Sequence, residues 1–320
     1  MNEIQNVVTV GAGKMPRGIA PVCAHAGYNV TMVDLKEEVL QEAVDVVKST
    51  LDFLVDNQFV TEQEAKSALS RISGSTDIDK TLKDADFVIE SVPENLALKK
   101  QVFHQMDKVC REHAILSTNT SSLRISDIAD ATTRPHNVMG FHWVNPPYLI
   151  PVIEIIRGQK TSESTVNKAK DLAIKMDKIP VVCRDVPGFL INRLQLSLVG
   201  EAISLLEEGA ASVEDIDNAM RLGIGIRYAL WGPLKCSDFF GNKRQALTIF
   251  EYLKKETGSD RFCPSNLLRQ KVELGELGLV SGKGWYDFTK QSPSAVIRER
   301  DEQLAKIVKF LRDEGLLQYS

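Results

Sequence analysis

In the first half of the chain, short apolar runs rich in β-branched residues alternate with longer amphipathic stretches, the pattern of parallel strands joined by crossover helices. The runs Asn6 to Val10, Asn29 to Val33, Phe87 to Val92, Ala114 to Ser117 and Val138 to His142 are predicted strands. Between the second and third, Val39, Leu40, Ala43, Val46, Val47, Leu51, Leu54 and Val55 recur at helical spacing and set one apolar stripe against a sheet. Beyond Pro151, the runs Val152 to Ile156 and Ile179 to Cys183 flank a helical pattern from Val166 to Met176 and extend the same sheet. From Pro187 the strand signals stop, and long helical patterns cover Leu190 to Glu208, Val213 to Leu222, Arg244 to Lys255 and Ala295 to Leu311. The expected architecture is therefore α/β: a doubly wound sheet domain over residues 1–185, then an all-helical domain over 186–320. The stretch Arg184-Asp185-Val186-Pro187-Gly188 has the composition of a boundary.

Composition narrows the class. A length of 320 residues fits two domains, each with its own core. Apolar residues make up 43% and charged ones 26%, and no run approaches the length of a membrane span. The net charge of -4 gives no reason to expect a nucleic acid or an anionic membrane as partner, so any phosphate must be held locally. Cys23, Cys110, Cys183, Cys236 and Cys263 are scattered and form no C-x-x-C pair, which argues against a zinc site and for reduced thiols in the cytoplasm. The opening Met1-Asn2-Glu3-Ile4 enters an apolar strand by Val7 and reads as no signal peptide.

The first strand runs into Gly11-Ala12-Gly13-Lys14-Met15-Pro16-Arg17-Gly18, a glycine turn that opens a helix. In that setting Gly11 makes the tight turn, and Gly13 lets the backbone at Lys14 and Met15 approach a pyrophosphate at the helix N-terminus. Asp34 ends the second strand, 23 residues after Gly11, where a carboxylate accepts both ribose hydroxyls of an adenosine; the spacing fits NAD in a Rossmann-type fold. Pro16 replaces the usual third glycine and is tolerated in a first helical turn. Pro21, deeper in the helix, should kink it.

His142 closes a strand, and the chain returns through Trp143-Val144-Asn145-Pro146-Pro147 as the strand bearing Glu154. If the loop brings the strand ends together, the carboxylate fixes the imidazole tautomer and steadies its protonated form, as a general base requires. Spacing alone equally allows a structural histidine. The polar cluster Ser117-Thr118-Asn119-Thr120-Ser121-Ser122 lies at the C-terminal edge of a strand, where open parallel sheets bind ligands, although Ser121 or Ser122 also suits the cap of a helix beginning near Ile125. Asn192, within an apolar helix start, either satisfies local backbone or points into a site. His25, His104, His113 and His136 read as surface residues.

These segments together resemble the L-3-hydroxyacyl-CoA dehydrogenase family over essentially the whole chain. The ordered matches are Gly11 to Gly18, Val92-Pro93-Glu94-Asn95, Asn119-Thr120-Ser121-Ser122-Leu123, Gly140-Phe141-His142, Asn145-Pro146-Pro147, Val152-Ile153-Glu154, Pro187-Gly188-Phe189 and Ser281-Gly282-Lys283-Gly284. The resemblance implies that His142 is the catalytic base and Glu154 its partner, and that Ser121 and Asn192 contact the reacting oxygen. It also implies that Glu94, Lys99 and Asn145 help hold the nicotinamide half of NAD, and that the helical domain forms a homodimer. Two departures bear on the small-molecule substrate. Where acyl-CoA members carry a basic stretch, this chain reads Leu54-Val55-Asp56-Asn57-Gln58-Phe59. Gly223 to Pro233, with Arg227, looks more like relatives that oxidise free hydroxy acids, of the gulonate and carnitine type. Arg227 is then either a two-pronged site for a substrate carboxylate or a surface salt bridge. A structural, crystallin-like role is a third reading, opposed by the presence of His142, Glu154, Ser121 and Asn192.

Overall fold

The computed structural model describes residues 4–317. Its sheet has eight strands: β1 (Asn6–Val10), β2 (Asn29–Val33), β3 (Ile72–Ser75), β4 (Phe87–Glu90), β5 (Ile115–Thr118), β6 (Val138–Trp143), β7 (Val152–Arg157) and β8 (Ile179–Arg184). Their order is β3-β2-β1-β4-β5-β6-β7-β8. All neighbours are parallel except β6 and β7, because the short connection between these two makes a hairpin, whereas a parallel return needs a crossover. Strand β3 was not expected. Ile72-Ser73-Gly74-Ser75 offers one apolar side chain and holds an edge position beside β2, with Gly74 against Leu40.

Helices in the sheet-bearing part are α1 (Lys14–His25), α2 (Glu37–Asp56), α3 (Glu62–Leu69), α4 (Ile78–Leu82), α5 (Leu96–Val109), α6 (Ile125–Ala129) and α7 (Glu163–Lys175). Strand alternation divides the core between the two faces. Val7, Val30, Met32, Phe87 and Phe141 pack with residues of α1, α2, α3 and α7, while Val8, Val10, Val88 and Leu116 pack with Leu82, Phe103, Met106 and Ile128 of α4, α5 and α6. This is the expected Rossmann-type double winding. The kink expected at Pro21 does not interrupt α1, which runs from Lys14 to His25 with Ile19, Ala20, Cys23 and Ala24 fully buried on either side of the proline. Tertiary packing of that stripe outweighs the one backbone hydrogen bond the proline removes.

The turn Arg184 to Leu190 leads into α8 (Ile191–Glu207), and the chain divides into two compact units further on, between Leu198 and Val199. The second unit holds α9 (Val213–Asn218), α10 (Ile226–Phe240), α11 (Lys243–Thr257), α12 (Asn266–Glu273) and α13 (Pro293–Asp313). The pattern from Val213 to Leu222 predicts one helix, but α9 ends at Asn218 and a π-helical segment, Ala219–Gly225, follows. Gly223 and Gly225 weaken the regular ladder there. The Ser281 to Gly284 segment has a structural use within this unit. The backbone N–H of Tyr286 donates to buried Asp238, which also pairs with buried Lys243, and Gly284 lies so close to both that a side chain there would have no room. Among the described residues, no helix is long and apolar enough to cross a membrane.

Candidate active site

Strands β1 and β4 are neighbours at the point where the strand order reverses, the position at which open α/β sheets bind ligands. Gly11, just past β1, has φ +103°, and a Cβ there would stand 3.0 Å from Ser91 O at the end of β4. Conformation and space both demand glycine. Gly13 caps α1 with no side-chain cap bond, and among the described residues nothing lies within 4 Å of where its Cβ would be. An uncapped helix N-terminus behind an open glycine is a pyrophosphate cradle. Asp34 follows β2, where its Oδ2 accepts from Ala12 N at 2.9 Å and its Oδ1 from Leu35 N at 2.8 Å. The carboxylate is thus fastened to the glycine loop, and Leu35, 88% exposed, adds no cation beside it. The Oγ of Ser91 is buried without a hydrogen-bond partner among the described residues at the same strand edge. These features fit a dinucleotide.

The hairpin of β6 and β7 puts His142 and Glu154 directly opposite each other in register. Their side chains meet: His142 Nδ1 lies 2.6 Å from Glu154 Oε2, and both residues are buried. The second carboxylate oxygen, Oε1, accepts from the backbone N–H groups of Leu190 at 2.9 Å and Ile191 at 3.0 Å, the entrance of α8. One carboxylate therefore orients the imidazole and satisfies a helix N-terminus. Burial alone would raise the Glu154 carboxyl, but the bond with His142, the two backbone bonds and the field of the imidazole hold it below the ordinary carboxylate value. Phe189, held at φ +49° just before α8, is buried with its ring centroid 6.0 Å from that of His142. The Leu190 and Ile191 contacts carry no mark in the sequence, because backbone N–H groups look alike in every residue.

Asn192, in the first turn of α8, donates from Nδ2 to Ser121 O at 2.7 Å, so it satisfies backbone, but distant backbone. Ser121 Oγ makes no hydrogen bond among the described residues. Glu94 holds the same loop. Its Oε1 accepts from Thr120 Oγ1 at 2.5 Å, Ser122 Oγ at 2.8 Å and the Ser121 and Ser122 N–H groups at 3.3 and 3.2 Å. Burial opposes ionisation of Glu94, yet the bonds from Thr120 and Ser122, the Lys99 charge and the Ser121 N–H keep its carboxyl below the usual value. Lys99 is itself buried, with Nζ 2.8 Å from Glu90 Oε1, 3.1 Å from Val92 O and 3.5 Å from Glu94 Oε2. Its ammonium is thus placed inside the β4–α5 corner and bears on the loop through Glu94. Glu90, missed by the sequence reading, also accepts from Thr118 Oγ1 at 2.7 Å and Val92 N at 2.6 Å. A carboxylate ending the apolar run Phe87-Val88-Ile89 was the available signal.

The cap expected from Ser121 or Ser122 is supplied instead by Asp185, whose carboxylate accepts from Ile125 N at 2.9 Å and Ser126 N at 2.8 Å. Ser122 is drawn away by Glu94. Asn119 Oδ1 accepts from Trp143 N at 2.8 Å, tying the β5 edge to the strand of His142. Asn145 begins the hairpin turn, with a cis peptide to Pro146, and a Cβ at Gly18 of α1 would stand 2.9 Å from Pro147 Cδ. The sheet unit thus holds every expected site residue except Arg227. Arg227 lies in α10 of the second unit, with Nε donating to Gly223 O at 3.0 Å, its guanidinium 5.3 Å from the Phe240 ring centroid and no ion pair among the described residues. The salt-bridge reading is therefore not realised there.

A dinucleotide cradle at the edge of β1 and a carboxylate-steadied imidazole near the end of β6 in the same sheet define an NAD-dependent oxidoreductase. The chain belongs to the 3-hydroxyacyl-CoA dehydrogenase family: residues 6–186 match its NAD binding domain and residues 188–288 its C-terminal domain. It is 40% identical over 290 residues to a probable 3-hydroxybutyryl-CoA dehydrogenase of Bacillus subtilis, covering 91% of this chain and 99% of the relative. Among solved structures, the 3-hydroxyacyl-CoA dehydrogenase of Archaeoglobus fulgidus is 32% identical with a TM-score of 0.79, covering 98% of this chain and 100% of that one. A 5-formyl-3-hydroxy-2-methylpyridine 4-carboxylic acid 5-dehydrogenase, described as an NAD+-dependent dismutase, is 30% identical with a TM-score of 0.71, covering 97% of this chain and 99% of that one.

Proposed function

We propose that the chain reversibly oxidises the hydroxyl of an L-3-hydroxyacyl-CoA to the 3-ketoacyl-CoA. The observation that carries this reading is the buried pair of His142 and Glu154, set in register by the hairpin. NAD, when bound, supplies the acceptor for the hydride that leaves the carbinol carbon. Gly11, Gly13, Lys14 and Met15 hold its pyrophosphate, Asp34 its adenosine ribose, and Glu94 and Asn145, with Lys99 behind Glu94, its nicotinamide half. His142 takes the hydroxyl proton on Nε2, because Nδ1 is engaged by Glu154, and Glu154 steadies the imidazolium formed. In reduction, His142 returns that proton to the carbonyl oxygen. Ser121 and Asn192 hold the oxygen in place, a contribution from orientation.

A second reading, a CoA-free hydroxy acid, is favoured by the cavity between α2 and α3, where Lys48 and Lys66 share the lining with Asp52, Asp56 and Glu62 rather than forming a basic surface. Steady-state assay separates the two. The acyl-CoA reading expects acetoacetyl-CoA to be reduced efficiently with NADH and poorly with NADPH, since the Asp34 carboxylate repels a 2′-phosphate and Leu35 offers no cation. Turnover of free 3-hydroxy acids alone, with a KM that rises strongly in Arg227→Met, would establish the second reading instead.

The proposed assembly is a homodimer in the cytoplasm. Exposed Leu196, Ile203 and Leu206 on α8 and Leu234 on α10 suit association through the helical part, and two-fold pairing is the commonest soluble symmetry. Light scattering on the eluting protein at micromolar concentration should return twice the chain mass of 35.6 kDa, and a single-chain mass would remove the dimer from the proposal.

A further inference from the structure

Lys178, between α7 and β8, is buried, and its Nζ donates to two carbonyls of one turn, Pro147 O at 2.7 Å and Ile150 O at 2.8 Å. It makes no ion pair among the described residues, and its Nζ lies 5.9 Å from the Trp143 ring centroid. A buried ammonium whose hydrogen bonds go to two backbone carbonyls contributes little to stability beside an apolar side chain of the same volume. Its two acceptors are informative. Both belong to the turn that joins the strand of His142 to the strand of Glu154 and that begins with Asn145. The same turn is braced by Leu149 N and Ile150 N donating to Pro146 O at 3.1 and 3.0 Å. On its other side, Pro147 touches α1, the helix of the phosphate cradle, at Gly18, where no Cβ would fit.

We infer that Lys178 is a positioning residue that sets the Asn145 turn for the nicotinamide half of NAD, while the adenosine half is held independently at Gly11, Gly13 and Asp34. The inference rests on the assignment of Asn145 above. A merely structural lysine would, on removal, lower thermal stability and weaken all ligands alike. A lysine that sets the turn separates the two halves of the cofactor.

The test compares the affinities of the intact chain for NADH and for ADP-ribose by calorimetry, without turnover. Lys178→Met should weaken NADH about 10-fold, the usual consequence of losing one or two hydrogen bonds' worth of placement, and leave ADP-ribose unchanged. Lys178→Gln, which keeps an amide donor, should fall between native and Lys178→Met for NADH, and it carries the comparison if Lys178→Met does not fold. Asn145→Ala should show the same split. Unchanged NADH affinity in the Lys178 variants, or equal weakening of both ligands, overturns the inference. If Asn145→Ala itself leaves NADH affinity unchanged, the failure lies in the placement of Asn145.

Discussion

His142→Gln should lower kcat for acetoacetyl-CoA reduction by about two orders of magnitude or more, the usual worth of a positioned general acid or base. NADH affinity and melting temperature should stay near native. Glutamine suits this test because its amide N–H can replace the imidazole N–H at Glu154 Oε2, so the buried carboxylate, and with it the entrance of α8, keeps a donor. What the amide lacks is a basic ring nitrogen that can take and return the substrate proton. Stopped-flow reduction under single-turnover conditions would place the loss in the chemical step. Native turnover in this variant would remove His142 from the mechanism.

The fold was legible chiefly where burial is two-sided. The edge strand β8, with Ile179 and Val182 exposed, is apolar without such cover, whereas β1, β2, β4, β5, β6 and β7 announce themselves as apolar runs because helices cover both faces of the sheet. Strand β3 does not, since an edge strand of Ile72, Ser73, Gly74 and Ser75 has one apolar side chain and is held by pairing with β2. The π-helical segment after α9 escapes a periodicity reading for a related reason: 3.6-residue spacing describes the α-helix alone.

The site was legible in part. Spacing left a structural histidine open and family resemblance singled out His142 with Glu154, and hairpin register explains why residues twelve positions apart meet. The residues that hold them in place were not visible, and each is a polar group doing long-range work. Glu90 fixes Lys99 and Thr118, Asp185 caps α6 from the end of β8, and Lys178 gathers the β6–β7 turn. Pattern reading marks such residues only as polar positions at the ends of apolar runs and is silent about their partners. The cap expected from Ser121 or Ser122 failed in this way, because local geometry favours a serine cap but Ser122 finds a stronger partner in the Glu94 carboxylate, 28 residues away.

Glu154→Gln should lose turnover nearly as severely as His142→Gln, in the range of about 100-fold, through the tautomer rather than through missing chemistry. In the native site one carboxylate supplies two acceptors, Oε2 for His142 Nδ1–H and Oε1 for the N–H groups of Leu190 and Ile191. A glutamine has one acceptor. Placed toward the two backbone donors, its oxygen leaves the amide N–H₂ facing Nδ1, which forces the imidazole proton onto Nε2 and removes the lone pair that accepts the substrate proton. Placed toward His142, it strands the α8 entrance. Stability should fall as well, by about 2 kcal/mol, for hydrogen bonds to a buried charge exchanged for bonds to a neutral amide. The pH dependence has a definite sign. Folding lowers the Glu154 carboxyl below its unfolded value, so its contribution is complete at neutral pH and is lost as pH falls through the depressed folded value. Urea midpoints measured from neutral pH into acid should therefore fall less steeply for Glu154→Gln than for the native chain, so that the two curves converge at low pH. Parallel curves would show that the charge on Glu154 contributes nothing to the fold, and a variant with native turnover would show that His142 does not depend on it.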